Sequence, residues 1–143
     1  WLDDISPFKN KMVVANYTEK EIVDALKVSA KSLVNPNNKP GIVHVSGLKY
    51  KIGKNGELRS ASFVSKDGKE TPIDVKNPRT DKMYKTALVD YYAQGHDGFT
   101  MLKKFDKAER ICDFDITKCV EDYMERHKEP VDIVDDGRIQ VVD

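Results

Sequence analysis

The chain has 143 residues, enough for one domain with a real hydrophobic core, and its 24 Lys and Arg are matched by 24 Asp and Glu. A formal net charge of zero excludes a long-range field that would recruit nucleic acid or an anionic membrane. No apolar run approaches the length that spans a bilayer, and no signal-peptide pattern is present. A single domain over residues 1–143 is therefore expected, and the opening at Trp1 without Met points to a segment of something longer.

In chain order, Lys11 to Tyr17 is a short β-prone run with Met12, Val13, Val14 and Tyr17. Thr18-Glu19-Lys20-Glu21 reads as a capping box, Thr18 accepting from a backbone N–H while Glu21 reaches back. The helix it opens carries Ile22, Ala25, Leu26 and Leu33 on one stripe, a core face, and ends before Asn35-Pro36-Asn37-Asn38. Ile42 to Ile52 and Leu58 to Ser65 read as strands joined by a hairpin connection, Gly53-Lys54-Asn55-Gly56-Glu57, with Asn-Gly inside it. Lys66-Asp67-Gly68-Lys69 is a further turn whose lysines keep a sheet edge soluble.

Asn77-Pro78-Arg79-Thr80 is a loop before the strand Tyr84 to Val89, and Phe99, Met101, Leu102 and Phe105 suggest a short helical turn. Asp115 can cap a helix with Ile116, Cys119, Val120, Tyr123, Met124 and His127 at helical spacing. Asp135-Asp136-Gly137 then turns into a last strand, Arg138 to Val142. The expected class is α+β, a mixed and mainly hairpin-connected sheet with helices packed on it. Cys112 and Cys119 match neither a zinc nor a redox spacing, and a bridge between them stays open.

Tyr91-Tyr92-Ala93-Gln94-Gly95-His96-Asp97-Gly98-Phe99 is the stretch with the most chemistry. Glycines let a backbone bend tightly or approach something closely, aromatic faces stack on flat rings, and a carboxylate fixes hydroxyls or amines. Two readings follow: a pocket for a planar, polar ligand, or a tight turn whose Asp97 caps the next helix. Tyr92, pointing opposite to Tyr91, is the better candidate for core packing.

No catalytic set can be assembled. His44, His96 and His127 are far apart in sequence, with His127 read as a helix-end residue and His44 as exposed. His96 and Asp97 could share a proton-transfer role, although adjacent residues in a tight loop often point apart. No serine sits in a nucleophile elbow, and no glycine loop carries the lysine that cradles phosphates.

Four separated stretches resemble the C-terminal domain of the 5'-nucleotidase family, which includes ecto-5'-nucleotidase and bacterial UDP-sugar hydrolase. Trp1-Leu2 through Ser6-Pro7-Phe8-Lys9-Asn10 resembles its Pro-Phe-x-Asn segment, and Val45-Ser46-Gly47-Leu48 its Val-Ser-Gly strand. Tyr91 to Phe99 resembles the family's aromatic-x-x-x-Gly-Gly-Asp-Gly-Phe loop, and Gly137-Arg138-Ile139 its Gly-Arg-Ile close.

The resemblance implies a substrate-binding domain of a larger, two-domain, secreted phosphohydrolase. It places two divalent metal ions in a separate N-terminal metallophosphoesterase domain and no cofactor, metal or catalytic residue in this segment. It implies a nucleoside or nucleotide substrate whose base stacks between Phe8 and Tyr91, with Asp97 on the ribose and Asn10 near base or sugar. Gly47, Gly95 and His96 would complete the substrate-binding set. No nucleic-acid partner and no membrane span are expected, and the location implied is extracellular, periplasmic or at the cell surface. The chain departs from the pattern at Tyr91, where Phe is usual, and at His96, which replaces the loop's second glycine. The family's Asn-Gly-Gly-x-Arg segment and its metal ligands are not in this stretch, so hydrolysis by it alone is not expected. A non-catalytic binding or scaffold module that kept the fold but lost the clamp is the alternative.

Overall fold

The computed structural model describes residues 11–37, 41–104, 108–115, 125 and 137–143. Among these, the strands form two sheets bridged by one long helix. Strand β1 (Lys11–Thr18) is the centre of the first sheet, with β5 (Met83–Val89) on one side and β6 (Glu109–Asp115) on the other, both antiparallel. The β1–β5 register runs from Met12 opposite Val89 to Thr18 opposite Met83. The second sheet has the order β4 (Glu70–Ile73), β3 (Leu58–Val64), β2 (Leu48–Gly53), β7 (Ile139–Val142). Its β4–β3–β2 part is hairpin-connected, whereas β2 and β7 run parallel, Tyr50 opposite Ile139.

Helix α1 (Glu19–Lys31) starts where the capping box places it: Glu21 N–H donates to Thr18 Oγ1 at 3.1 Å and Thr18 N–H to Glu21 Oε1 at 2.9 Å. Its apolar stripe is shared between the sheets. Ile22 packs with Ala15 and Tyr17 of β1, while Val23, Leu26 and Ala30 pack with Tyr50, Ile52, Ala61 and Ile73 of the second sheet. Phe63 of β3 stacks on Tyr84 of β5 at 4.2 Å, closing the seam between the sheets, a contact of about 0.5–1.5 kcal/mol beyond its area.

The structure departs from the expectations at several points. The strand expected from Ile42 begins only at Leu48; within residues 42–47, Val43 and Val45 give backbone groups to side chains instead of a ladder. Val43 N–H donates to Ser29 Oγ at 2.8 Å, and Val43 C=O accepts from the Tyr50 hydroxyl. Leu33 lies past the end of α1 and is exposed, so it is not part of the core stripe. Strand β4 was not expected; Pro72 sits within it, which an edge strand tolerates because its outer N–H groups need no partner. Asp115, expected as a helix cap, ends strand β6 opposite Lys11. The expected helix after it, with Cys119 and His127, and the side chain of Cys112 lie outside the described residues.

Candidate nucleoside-binding loop

The loop Tyr91–Phe99 is not a plain turn. Strand β5 runs straight into a single-turn helix, α2 (Asp90–Ala93), whose first-turn carboxylate suits the helix N-terminus. Gly95 stops it: with φ of +82° it takes the left-handed conformation that follows a helix end, its N–H donating to Tyr92 C=O at 2.9 Å. A Cβ there would meet Lys103 Cβ at 3.1 Å, so a side chain would press on Lys103 in addition to the strain its φ imposes. Asp97 also lies in the left-handed region, at φ +57°, the one non-glycine among the described residues to do so. Such a conformation costs a side-chain-bearing residue roughly 1–2 kcal/mol, least for Asp and Asn.

The ends of the loop are tied. Lys104 N–H donates to Ala93 C=O at 3.0 Å, and Phe99 N–H to His96 C=O at 3.1 Å. Ala93 and Phe99 are buried, and Tyr92 packs edge-on against Phe99 at 5.0 Å, the core role expected of it. Lys104 Nζ then reaches Glu21 Oε1 at 2.9 Å and Asn16 C=O at 2.8 Å, and lies over the Tyr17 ring at 4.9 Å. Tyr17 in turn donates its hydroxyl to Leu102 C=O at 2.7 Å, and burial, helped by the Glu21 charge, pushes its phenol up to about 12. Lys104 and Tyr17 are thus positioning residues for the loop, and no spacing in the sequence marks them.

On the outer side, Tyr91 is half-buried and His96 and Asp97 are exposed. The Asp97 carboxylate, acting as a hydrogen-bond acceptor toward the phenol, holds Tyr91 above its ordinary value, with lesser contributions from burial and charge. The His96 imidazole lies on the Tyr91 ring, 4.7 Å between centroids and 21° between planes. Its Nε2–H donates to Gln94 Oε1 at 3.0 Å. His96 and Asp97 therefore point to different partners, which disfavours a shared proton-transfer role. Asp97 does not cap the next turn either: the cap position of the helical turn Thr100–Leu102 is Phe99, without a side-chain cap bond.

The structure brings Tyr91, Gly95, His96 and Asp97 into one loop. Gly47 sits elsewhere, at φ +74°, on the wall of a largely apolar cavity of about 590 Å³ that runs between the sheets and is also lined by Tyr92, Phe99, Phe63 and Tyr84. A Cβ on Gly47 would meet only Val64 C=O at 3.8 Å, so its backbone φ, not a close approach within this chain, is what calls for glycine. Phe8 and Asn10 lie outside the described residues. Among the described residues, no three His, Cys, Asp or Glu side chains converge to hold a metal ion, and no helix is long and apolar enough to cross a membrane.

Comparison with known proteins gives a consistent answer. Protein UshA of Escherichia coli K12 is 30% identical over 100 residues, 68% of this chain and 15% of UshA. UshA of Salmonella pullorum is 31% identical over 97 residues, 66% of this chain and 15% of its own length. The chain thus spans less than a fifth of the curated relatives it matches. The solved structure of a 5'-nucleotidase precursor from Thermus thermophilus superposes with a TM-score of 0.78 at 26% identity, covering 99% of this chain and 27% of that one. Haemophilus influenzae NAD nucleotidase superposes with a TM-score of 0.76 at 15% identity, covering 99% and 26%, a likeness of fold. Residues 2–104 match the model of the 5'-nucleotidase C-terminal domain, and the chain, an α+β domain, belongs to that family.

Proposed function

We infer that residues 1–143 form one domain that holds the nucleoside part of the substrate in a metal-dependent 5'-nucleotidase-type phosphohydrolase. In this reading Tyr91 offers one stacking face for the base and Phe8 the other, while Asp97 and Asn10 hold the sugar side. Base–aromatic stacks of this kind contribute about 1–3 kcal/mol each with little preference among bases. The observation that carries the reading is Asp97: an exposed carboxylate held in a left-handed conformation beside an aromatic ring, on a loop anchored at both ends. Strain retained at an exposed polar residue is typical of sites kept for a ligand.

The reaction itself would belong to an N-terminal metallophosphoesterase domain of the same chain, whose two divalent metal ions would supply the phosphate chemistry. This domain would supply specificity and no catalytic residue. The kinship with a protein described as a precursor supports an extracellular, periplasmic or cell-surface location.

The test is the double variant Phe8→Ala with Tyr91→Ala in the full-length enzyme. Capture of a nucleotide should weaken, while hydrolysis of a base-free phosphate ester stays nearly unchanged; equal loss on both substrates means that the rings only support packing. A second reading, a scaffold that lost the clamp, is favoured by one observation, the imidazole lying on Tyr91. Titration with adenosine or AMP, followed by amide shifts at Tyr91 and Asp97, separates the two.

A further inference from the structure

His96 stands where the loop could have had a residue without a side chain, and its ring lies almost parallel to Tyr91 at stacking distance. That is the arrangement a flat heteroaromatic ligand would adopt on the same ring. Tyr92 meets Tyr91 edge-on, 68° between planes at 5.8 Å, and continues inward to buried Phe99, so it belongs to the inner side. His96 is exposed, so the Tyr91 face it covers is one that would otherwise open to solvent, the side a ligand must reach. The imidazole is held there by Gln94, which accepts its Nε2 proton.

We propose that His96 is an internal competitor for the Tyr91 platform: a planar ligand takes the place of its imidazole, which swings away and gives up the bond to Gln94. Resting on the nucleoside reading above, this assigns His96 and Gln94 a role in setting affinity without a role in the chemistry. Binding must break one ring stack and one hydrogen bond before it makes its own, so the apparent affinity is lowered by that cost.

The experiment uses the full-length protein with adenosine as probe. His96→Ala should bind adenosine about tenfold more tightly than the parent, and Gln94→Ala, which frees the imidazole without removing it, about twofold more tightly. In the parent, the His96 imidazole carbon-bound proton resonances should lose their ring-current shift as adenosine saturates the site. Weaker or equal binding by His96→Ala, with His96 resonances unmoved, overturns the proposal. Tyr91→Ala distinguishes the two levels: if it abolishes binding while His96→Ala gains nothing, the competitor idea alone fails. If neither parent nor variants bind adenosine, the nucleoside reading fails and takes this one with it.

Discussion

The Lys104 ammonium lies 2.9 Å from the Glu21 carboxylate, joining the far end of the glycine loop to the first turn of α1. Both side chains are three-quarters buried, so water screens the pair less than it would at the surface. Lys104 also satisfies Asn16 C=O, and its stem covers the Tyr17 ring. Lys104→Met keeps the stem and removes the charge and donors; we expect a loss of about 1–2 kcal/mol in urea unfolding. Amide exchange at Ala93 through Phe99 should quicken at the same time. A loss below a few tenths of a kcal/mol would mean that the loop is held by its backbone bonds alone.

Glu21 also makes stability depend on pH. Burial tends to raise its carboxyl, but the Thr18 N–H, the Lys104 ammonium and the Thr18 hydroxyl outweigh this and hold it below its ordinary value. A depressed folded-state value means stability that is fully present above the unfolded carboxylate value, about 4.3, and that fades as pH falls through the folded value. The stability gap between parent and Glu21→Gln should therefore be largest near pH 7 and shrink below pH 4, in urea titrations at the two pH values. A gap that stays constant with pH would remove Glu21 from the acid response.

On the proposed reading, Asp97 separates folding from binding. Its left-handed backbone suits glycine better, so Asp97→Gly should leave stability unchanged or raise it by up to about 1 kcal/mol. In the full-length enzyme the same variant should raise KM for a nucleotide about tenfold or more, if a charged hydrogen bond to ligand is lost. Calorimetry and kinetics on one protein give both answers. If Asp97→Gly is destabilised by more than about 1 kcal/mol, the carboxylate is there to hold Tyr91.

Tyr50 fixes the segment that carries Gly47. Its buried hydroxyl donates to Val43 C=O and shares a 3.1 Å contact with Ser29, while Ser29 accepts from Val43 N–H. Burial, opposed by the Ser29 bond, holds the phenol above its ordinary value, so it remains a donor. Tyr50→Phe strands the Val43 carbonyl and should cost about 1–3 kcal/mol, with amide shifts spreading from Val43 to Gly47. No change there would mean that backbone contacts alone position the segment.

The features legible in the sequence are those written in neighbouring residues. Thr18 and Glu21 specify a capping box three residues apart, and Asn55-Gly56 specifies a hairpin, so α1 and the β2–β3 pair could be placed. Strand β4 escaped because Glu70, Thr71 and Pro72 are exposed on an edge and show no apolar alternation. Strand β6 escaped because Glu109, Arg110, Asp113 and Asp115 mask its pattern; only pairing with β1 marks it as a strand. In the loop, residue types pointed to Tyr91 and Asp97. The imidazole stack and the Lys104 anchor depend on torsion angles and on contacts 83 residues apart, which no local pattern encodes.

The parallel pairing of β2 with β7 has a kinetic consequence. Tyr50 N–H finds its acceptor at Arg138, and Lys54 N–H at Val142, so one flank of a core strand is satisfied by residues made much later. While the ribosome is still short of them, β2 presents a raw margin to any neighbouring polypeptide. A cloning boundary placed ahead of Ile139 would make that exposure permanent and invite inclusion bodies. Recombinant versions of this domain should therefore carry Ile139–Val142.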